Sequence, residues 1–290
     1  MTSTASGPPS TTPSTTPSTT PSTSVSDPVS GDLKRVLGKL KLGKMLDTLP
    51  ERLSLARQQH LSHAAFLELV LADEATRRDT QSAQLRARKA GLNPGMRLET
   101  WDETAAVRYD RTLWNELTSL RFLDGPHGAC LLGPVGVGKT HLATALGHIA
   151  VRRRYSVLML RADALFKRLK AARLDNSVEA EMRRLTQVQL LLIDDFALQP
   201  LDATETADFY ELVVARHHQA STVVTSNRTA DEWLAMMSDP LLAQSAIDRL
   251  TSTAHELVIE GESYRRRQKP AASHTGASVD ATEKGDHHAR

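Results

Sequence analysis

Ala129-Cys130-Leu131-Leu132-Gly133-Pro134-Val135-Gly136-Val137-Gly138-Lys139-Thr140-His141-Leu142-Ala143 is the stretch that decides how this chain folds. An apolar run breaks into a glycine-rich loop and then into apolar residues at helical spacing, Leu142, Ala145, Leu146 and Ile149. Strand, loop and helix in that order make a phosphate cradle. Glycines let successive backbone N–H groups turn inward, and the helix directs its positive end at the same anion. Gly133 to Thr140 fits the pattern Gly-x-x-x-x-Gly-Lys-Ser/Thr, so Gly133, Pro134, Val135, Gly136, Val137, Gly138, Lys139, Thr140 and His141 are the expected nucleotide-binding residues. Lys139 would reach the β- and γ-phosphates as a point charge, and Thr140 would place a hydroxyl on Mg²⁺. A glycine-rich turn without a ligand is the competing reading, and the flanking strand and helix weigh against it.

Working outward, Val188-Gln189-Leu190-Leu191-Leu192-Ile193-Asp194-Asp195 describes a strand buried on both faces whose carboxyl end opens into a polar site. In an open α/β sheet, ligands bind at those ends, so Asp194 and the phosphate loop should meet in space. Asp194 would hold Mg²⁺, through water or directly, and Asp195 would polarise the attacking water. Thr222-Val223-Val224-Thr225-Ser226-Asn227 is a further β-branched strand, and Asn227 at its end can donate to a γ-phosphate or orient water. Strands are also expected at 156–160 and 257–259. Helices are expected at 163–173, carrying Lys167, Arg168, Lys170 and Arg173, at 204–217, and at 241–250, ending Ile247-Asp248-Arg249-Leu250. The pattern is that of an α/β domain with a parallel central sheet.

Upstream, residues 1–30 are nearly all Ser, Thr and Pro and cannot bury enough apolar surface to offset chain entropy, so a disordered tail is expected. Leu33, Val36, Leu37, Leu40, Leu46 and Leu49 mark one apolar helical stripe closed near Pro50. Phe66, Leu67, Val70 and Leu71 mark a second, after the capping residue Ser62. Residues 31–98 hold thirteen Lys or Arg against seven Asp or Glu, although the whole chain carries only +2. That local excess suits either a nucleic-acid or acidic partner, or an ordinary solvated helix face. The connector from Gly91 to Gly128 carries Trp101, Tyr109, Trp114 and Phe122, which could wall a base pocket or pack in the core. The single cysteine, Cys130, excludes an internal disulfide and suits a reducing compartment. No apolar stretch has the length to span a bilayer and no signal-peptide pattern is present, so a cytoplasmic protein with no membrane association is expected. The polar end from about Pro270 reads as a second disordered tail, in which His287 and His288 are too unanchored to be a metal site.

The phosphate loop, Leu190 to Asp195, Thr225-Ser226-Asn227, Asp248-Arg249-Leu250, Gly261-Glu262-Ser263-Tyr264-Arg265 and the upstream Leu61-Ser62-His63-Ala64-Ala65-Phe66-Leu67 together resemble the IstB-like ATPases. These are insertion-sequence transposition helpers similar to the helicase loader DnaC. The resemblance implies an AAA+ P-loop NTPase with a three-layer domain, preceded by a small all-helical domain and without a separate C-terminal lid. The boundaries that follow are 1–30 tail, 31–92 helical domain, 93–268 ATPase domain and 269–290 tail. It also implies ATP and Mg²⁺ as cofactors, and a catalytic set of Lys139, Asp194, Asp195, Asn227 and Arg249. Arg249 matches an arginine that reaches the nucleotide of a neighbouring subunit. An ion pair with Asp248 or another acid inside its own subunit is the alternative. Without a lid the usual lid arginine has no secure counterpart, and Arg265 is only a candidate. Many AAA+ proteins carry Glu where this chain has Asp195, one methylene shorter, so slow hydrolysis dependent on assembly is expected. The implied partners are double-stranded DNA, a transposase and further copies of the chain. Lys167, Arg168, Lys170 and Arg173 stand near where related initiators and loaders contact DNA, a solvated face being the alternative. A helicase loader of the DnaC type and a small-molecule phosphotransferase are the rival functions.

Overall fold

The computed structural model describes residues 29–102 and 107–264. The tail up to residue 28 and everything from 265 onward, including Arg265, His287 and His288, lie outside the described residues. The chain divides into two compact units between Arg77 and Arg78.

The first unit is helical. Ser30 accepts the Leu33 N–H and so starts α1 (Gly31–Lys39); a 3-10 turn at Gly43–Asp47 leads to α2 (Leu49–Gln58). Ser62 accepts the Ala65 N–H at the start of α3 (His63–Lys89), the capping role its position suggested. Pro50 begins α2 instead of closing the first stripe: at the first turn its missing N–H would be unpaired anyway. The stripe is therefore split. Leu37, Met45, Leu49 and Val70 form a small core with Val29, whereas Leu33, Val36 and Leu40 are exposed. Arg52 ties α2 to α3 through both oxygens of Asp73, at 2.6 and 3.3 Å.

The second unit runs β1 (Val107–Arg108), α4 (Arg111–Ser119), β2 (Gly128–Leu132), α5 (Lys139–Arg152), β3 (Val157–Arg161), α6 (Ala162–Leu174), α7 (Val178–Gln187), β4 (Leu190–Asp194), α8 (Ala203–Arg216), β5 (Ser221–Ser226), α9 (Ala230–Leu234), α10 (Pro240–Thr251), β6 (Ala254–Val258) and β7 (Glu260–Gly261). Five strands form one parallel sheet in the order β3-β4-β5-β2-β6, and β1 pairs with β7 antiparallel. β4 lies inside the sheet, so both of its faces are covered, and its apolar residues divide by the two-residue period. Leu191 and Ile193 pack with α6, α8 and α10; Leu190 and Leu192 pack with α4 and α5. Helices on both faces make three layers. Cys130 of β2 is a buried core thiol that burial pushes up to about 12, which removes it from thiolate chemistry.

At the opposite end of the sheet from the phosphate loop, Arg216 is buried with no carboxylate partner among the described residues. Its guanidinium donates to the carbonyls of Leu185, Thr186, Val188 and Ser221 and to the Thr222 hydroxyl. Burial depresses its pKa to about 10, still charged at neutral pH. The five bonds fasten the starts of β4 and β5 together, and so set the relative position of their far ends, where the polar site lies.

Candidate functional site

Parallel order places the carboxyl ends of β2, β4 and β5 side by side, and the phosphate loop leaves the first of these. The loop needs its glycines for contact as well as for backbone angle. A Cβ on Gly133 (φ 149°) would sit 2.0 Å from the Ile259 carbonyl oxygen, and one on Gly138 (φ 99°) would sit 2.5 Å from the Trp101 ring. Lys139 opens α5 with its stem buried, and its ammonium donates to the carbonyls of Gly133 (2.7 Å) and Pro134 (2.9 Å). The loop is thereby wrapped around its own cation.

Thr140 donates its hydroxyl to Asp194 Oδ1 at 2.9 Å, joining residues far apart in sequence. Thr225 donates to the same oxygen at 2.5 Å, and its Oγ1 also accepts the Asp195 N–H at 3.1 Å. Burial raises the Asp194 pKa above the ordinary carboxylate value. The bond from Thr225 opposes this, the charge of Asp195 adds to it, and Thr140 and Arg161 oppose it further. Asp195 turns away from the strand with φ 55°, and its carboxylate lies 3.8 Å from Arg161 Nε.

Lys139, Thr140, Asp195 and Asn227 share the wall of one cavity of about 470 Å³ with Trp101 and Tyr264. That volume is in the range of small-molecule and cofactor sites. The connector aromatics divide between lining the cavity and packing in the core. Trp101 lines the cavity and meets the His141 ring edge-on at 5.2 Å; Trp114 and Phe122 are core residues; Tyr109 stands edge-on to both tryptophans. His141 also fastens the connector to α5. Its Nε2 is 2.9 Å from the Arg97 carbonyl, one turn along Thr144 contacts Met96 Sδ, and a further turn along His148 Nε2 is 2.9 Å from the Asn93 carbonyl. Positions 141, 144 and 148 lie along one face of a helix, so a single stripe of α5 holds the connector.

Other expected residues are not in this cavity. Arg249, on α10, donates to the Ser245 carbonyl at 2.9 Å and to the Ser245 hydroxyl. It makes no ion pair with Asp248 or any other carboxylate among the described residues, and it lines a separate open cavity with Leu234, Leu241 and Ile247. On α6, Lys170 is paired with Asp202 (2.8 Å), which caps α8, and with Glu205 (2.7 Å) of α8, and Arg173 with the buried Asp208. Lys167 lies 3.5 Å from Asp163, and Arg168 is exposed with no partner among the described residues.

The model of the IstB-like ATP binding protein matches residues 35–272. The chain belongs to that family. An insertion-sequence ATP-binding protein of Mycobacterium tuberculosis is 36% identical over 239 residues, 82% of this chain and 95% of the relative. The ATP-binding protein of insertion sequence IS21 from Pseudomonas aeruginosa is 33% identical over 241 residues, 83% of this chain and 91% of the relative. The crystal structure of DnaI shares the fold with a TM-score of 0.50 at 22% identity, covering 57% of this chain and 90% of DnaI. The IstB-like chain is an ATP-binding AAA+ protein with a helical N-terminal region, as the sequence resemblance implied.

Arg161 and Thr225 are the residues around the polar site that sequence reading missed. Arg161 ends β3, which pairs with β4 and puts Arg161 opposite Asp194. No described helix of the IstB-like chain is long and apolar enough to cross a membrane. No cluster of three or more His, Cys, Asp or Glu suited to a metal occurs among the described residues. Thr140 and Asp194 instead present two hard oxygen donors in contact, a set that suits Mg²⁺ shared with phosphate oxygens.

Proposed function

We propose that this IstB-like protein hydrolyses ATP slowly, assembles with further copies of itself on double-stranded DNA, and assists a transposase. The observation that carries the reading is the separation of two halves of one chemistry. Lys139, Thr140, Asp195 and Asn227 share a cavity, with Asp194 joined to it through Thr140, while Arg249 stands outside it with no carboxylate partner among the described residues. Lys139 binds the β- and γ-phosphates, and Asn227 donates to the γ-phosphate or holds the water in line. Asp195 accepts a hydrogen bond from that water and so polarises it for attack. Thr140 and Asp194 would hold Mg²⁺, which supplies charge neutralisation on the phosphates. Arg249 of a neighbouring copy spreads its guanidinium over the charge of the transferred phosphoryl, so hydrolysis waits for assembly. The insertion-sequence names of relatives that match most of the chain favour a transposase as partner over a replicative helicase.

Of the α6 cations proposed for DNA contact, Lys167 and Arg168 suit the role best. Lys170 and Arg173 are held by α8, and moving Arg173 to a phosphate would strand Asp208, which is 1% exposed. That costs roughly 2 kcal/mol or more after allowing for solvent around Arg173, against ~1 kcal/mol for an exposed ion pair. Charge reversal at Lys167 and Arg168 is therefore expected to reduce the salt slope of DNA binding by about two. Lys170→Ala should lower the melting temperature and leave that slope alone; the opposite assignment of effects would refute this division.

Electron microscopy on long duplex DNA, with and without a non-hydrolysable ATP analogue, tests the reading as a whole. Nucleotide-dependent rings or filaments on DNA are expected. Particles that stay monomeric under both conditions would overturn it.

A further inference from the structure

Thr225 reads in the sequence as one more β-branched residue of a central strand, like Val223 and Val224 beside it. Its hydroxyl does something theirs cannot. A hydroxyl carries one donor and two acceptor positions, and Thr225 uses both kinds within one turn of chain. It donates to Asp194 Oδ1 at 2.5 Å and accepts the Asp195 N–H at 3.1 Å, while its own carbonyl accepts the Phe196 N–H at 2.9 Å. The side chain is buried, so water does not compete for these bonds.

Sheet register explains why this residue can reach both acids. Ile193 of β4 is paired with Val224 of β5, so the next residue on each strand, Asp194 and Thr225, stand together where β4 ends. Beyond Asp194 the chain must leave the sheet, and Asp195 does so in the left-handed region at φ 55°. A residue with a Cβ holds that conformation only where its surroundings fix it. The Thr225 hydroxyl on the Asp195 N–H and the Thr225 carbonyl on the Phe196 N–H are such fixings. Ser226 and Asn227, the other polar residues of this strand end, are engaged differently. Ser226 donates to the Phe196 carbonyl and accepts the Trp233 indole N–H, and Asn227 lines the cavity.

We infer that Thr225 is a positioning residue for hydrolysis, one hydroxyl that sets the carboxylate of Asp194 toward the metal ion and aims Asp195 at the attacking water. The inference rests on the proposed ATPase reading, since it assigns Thr225 a task only where those two acids have theirs.

Thr225→Val keeps the volume and β-branching and removes the hydroxyl; Thr225→Ser keeps the hydroxyl; Thr225→Cys, with a weak donor of similar reach, replaces valine should that variant not fold. Full-length proteins are compared by binding of a fluorescent ATP analogue without Mg²⁺, by the same binding during a Mg²⁺ titration, and by steady-state hydrolysis. Thr225→Val is expected to match the wild type without Mg²⁺ and to need about tenfold more Mg²⁺ for half-maximal enhancement of binding. Its kcat should fall about tenfold or more with KM for ATP within roughly threefold, and Thr225→Ser should recover both quantities. A merely structural role predicts a lower melting temperature with kcat and Mg²⁺ dependence unchanged per folded molecule, and that result would overturn the inference. A wild-type protein that binds nucleotide without any response to Mg²⁺ would instead overturn the ATPase reading beneath it.

Discussion

Arg249→Ala is expected to leave nucleotide binding within about twofold of the wild type and to lower turnover by about a thousandfold. The two halves of that expectation have separate grounds. Arg249 does not line the cavity that holds Lys139, Thr140 and Asn227, so its removal subtracts nothing from the nucleotide contacts of its own chain. Among the described residues its guanidinium is bonded only to Ser245, one turn back on the same helix, a local contact whose loss costs little stability. A guanidinium supplied across an interface acts on charge that develops only in the transition state, so its loss appears in kcat and not in binding. Equilibrium binding of an ATP analogue and single-turnover hydrolysis on DNA separate the two quantities. Equal losses in both would place Arg249 in the binding site of its own subunit.

Lys139→Ala is expected to lower ATP affinity by about a hundredfold and to abolish measurable hydrolysis. Among the described residues lining the loop's cavity, Lys139 is the only Lys or Arg, and its ammonium is bonded to two carbonyls of the loop. Alanine removes the charge proposed to meet the β- and γ-phosphates and also leaves the Gly133 and Pro134 carbonyls without that donor. Calorimetric titration with ATP measures the first loss. The fold should survive, because the glycine contacts with Ile259 and Trp101 that shape the loop do not involve Lys139. A Lys139→Ala protein that binds ATP as tightly as the wild type would show that the phosphates lie elsewhere.

Much of this site is visible in the chain because burial writes itself into composition. A strand covered on both faces must be apolar at every position, so Leu190 to Ile193 stand out, and the two acids at their end mark where the sheet meets solvent. The loop is legible for a different reason: its backbone angles and close contacts admit little but glycine at Gly133 and Gly138. Arg161 and Thr225 are invisible at that level. One acts because β3 happens to be the neighbour of β4, the other because a hydroxyl replaces a methyl at one position of a β-branched run, and neither fact has a local signature. The α6 cations show the limit of reading charge by composition. Asp202, which caps α8, and Glu205 and Asp208 on it recur at a three-residue spacing, and they pair with Lys170 and Arg173. Pro50 has no single local meaning, because proline ends helices and also starts them, and the burial of Leu49 in one cluster with Leu37 and Val70 goes with the second.

In the proposed assembly a second copy of the chain completes the nucleotide site. Mixing the Arg249→Ala and Lys139→Ala proteins, each inactive alone, on duplex DNA with ATP probes that completion. In a random assembly about a quarter of the interfaces pair an intact phosphate loop with an intact arginine, so hydrolysis should return to roughly that fraction of the wild-type rate and disappear on dilution. A mixture that stays as inactive as its components, over concentrations at which the wild type is active, would contradict the account.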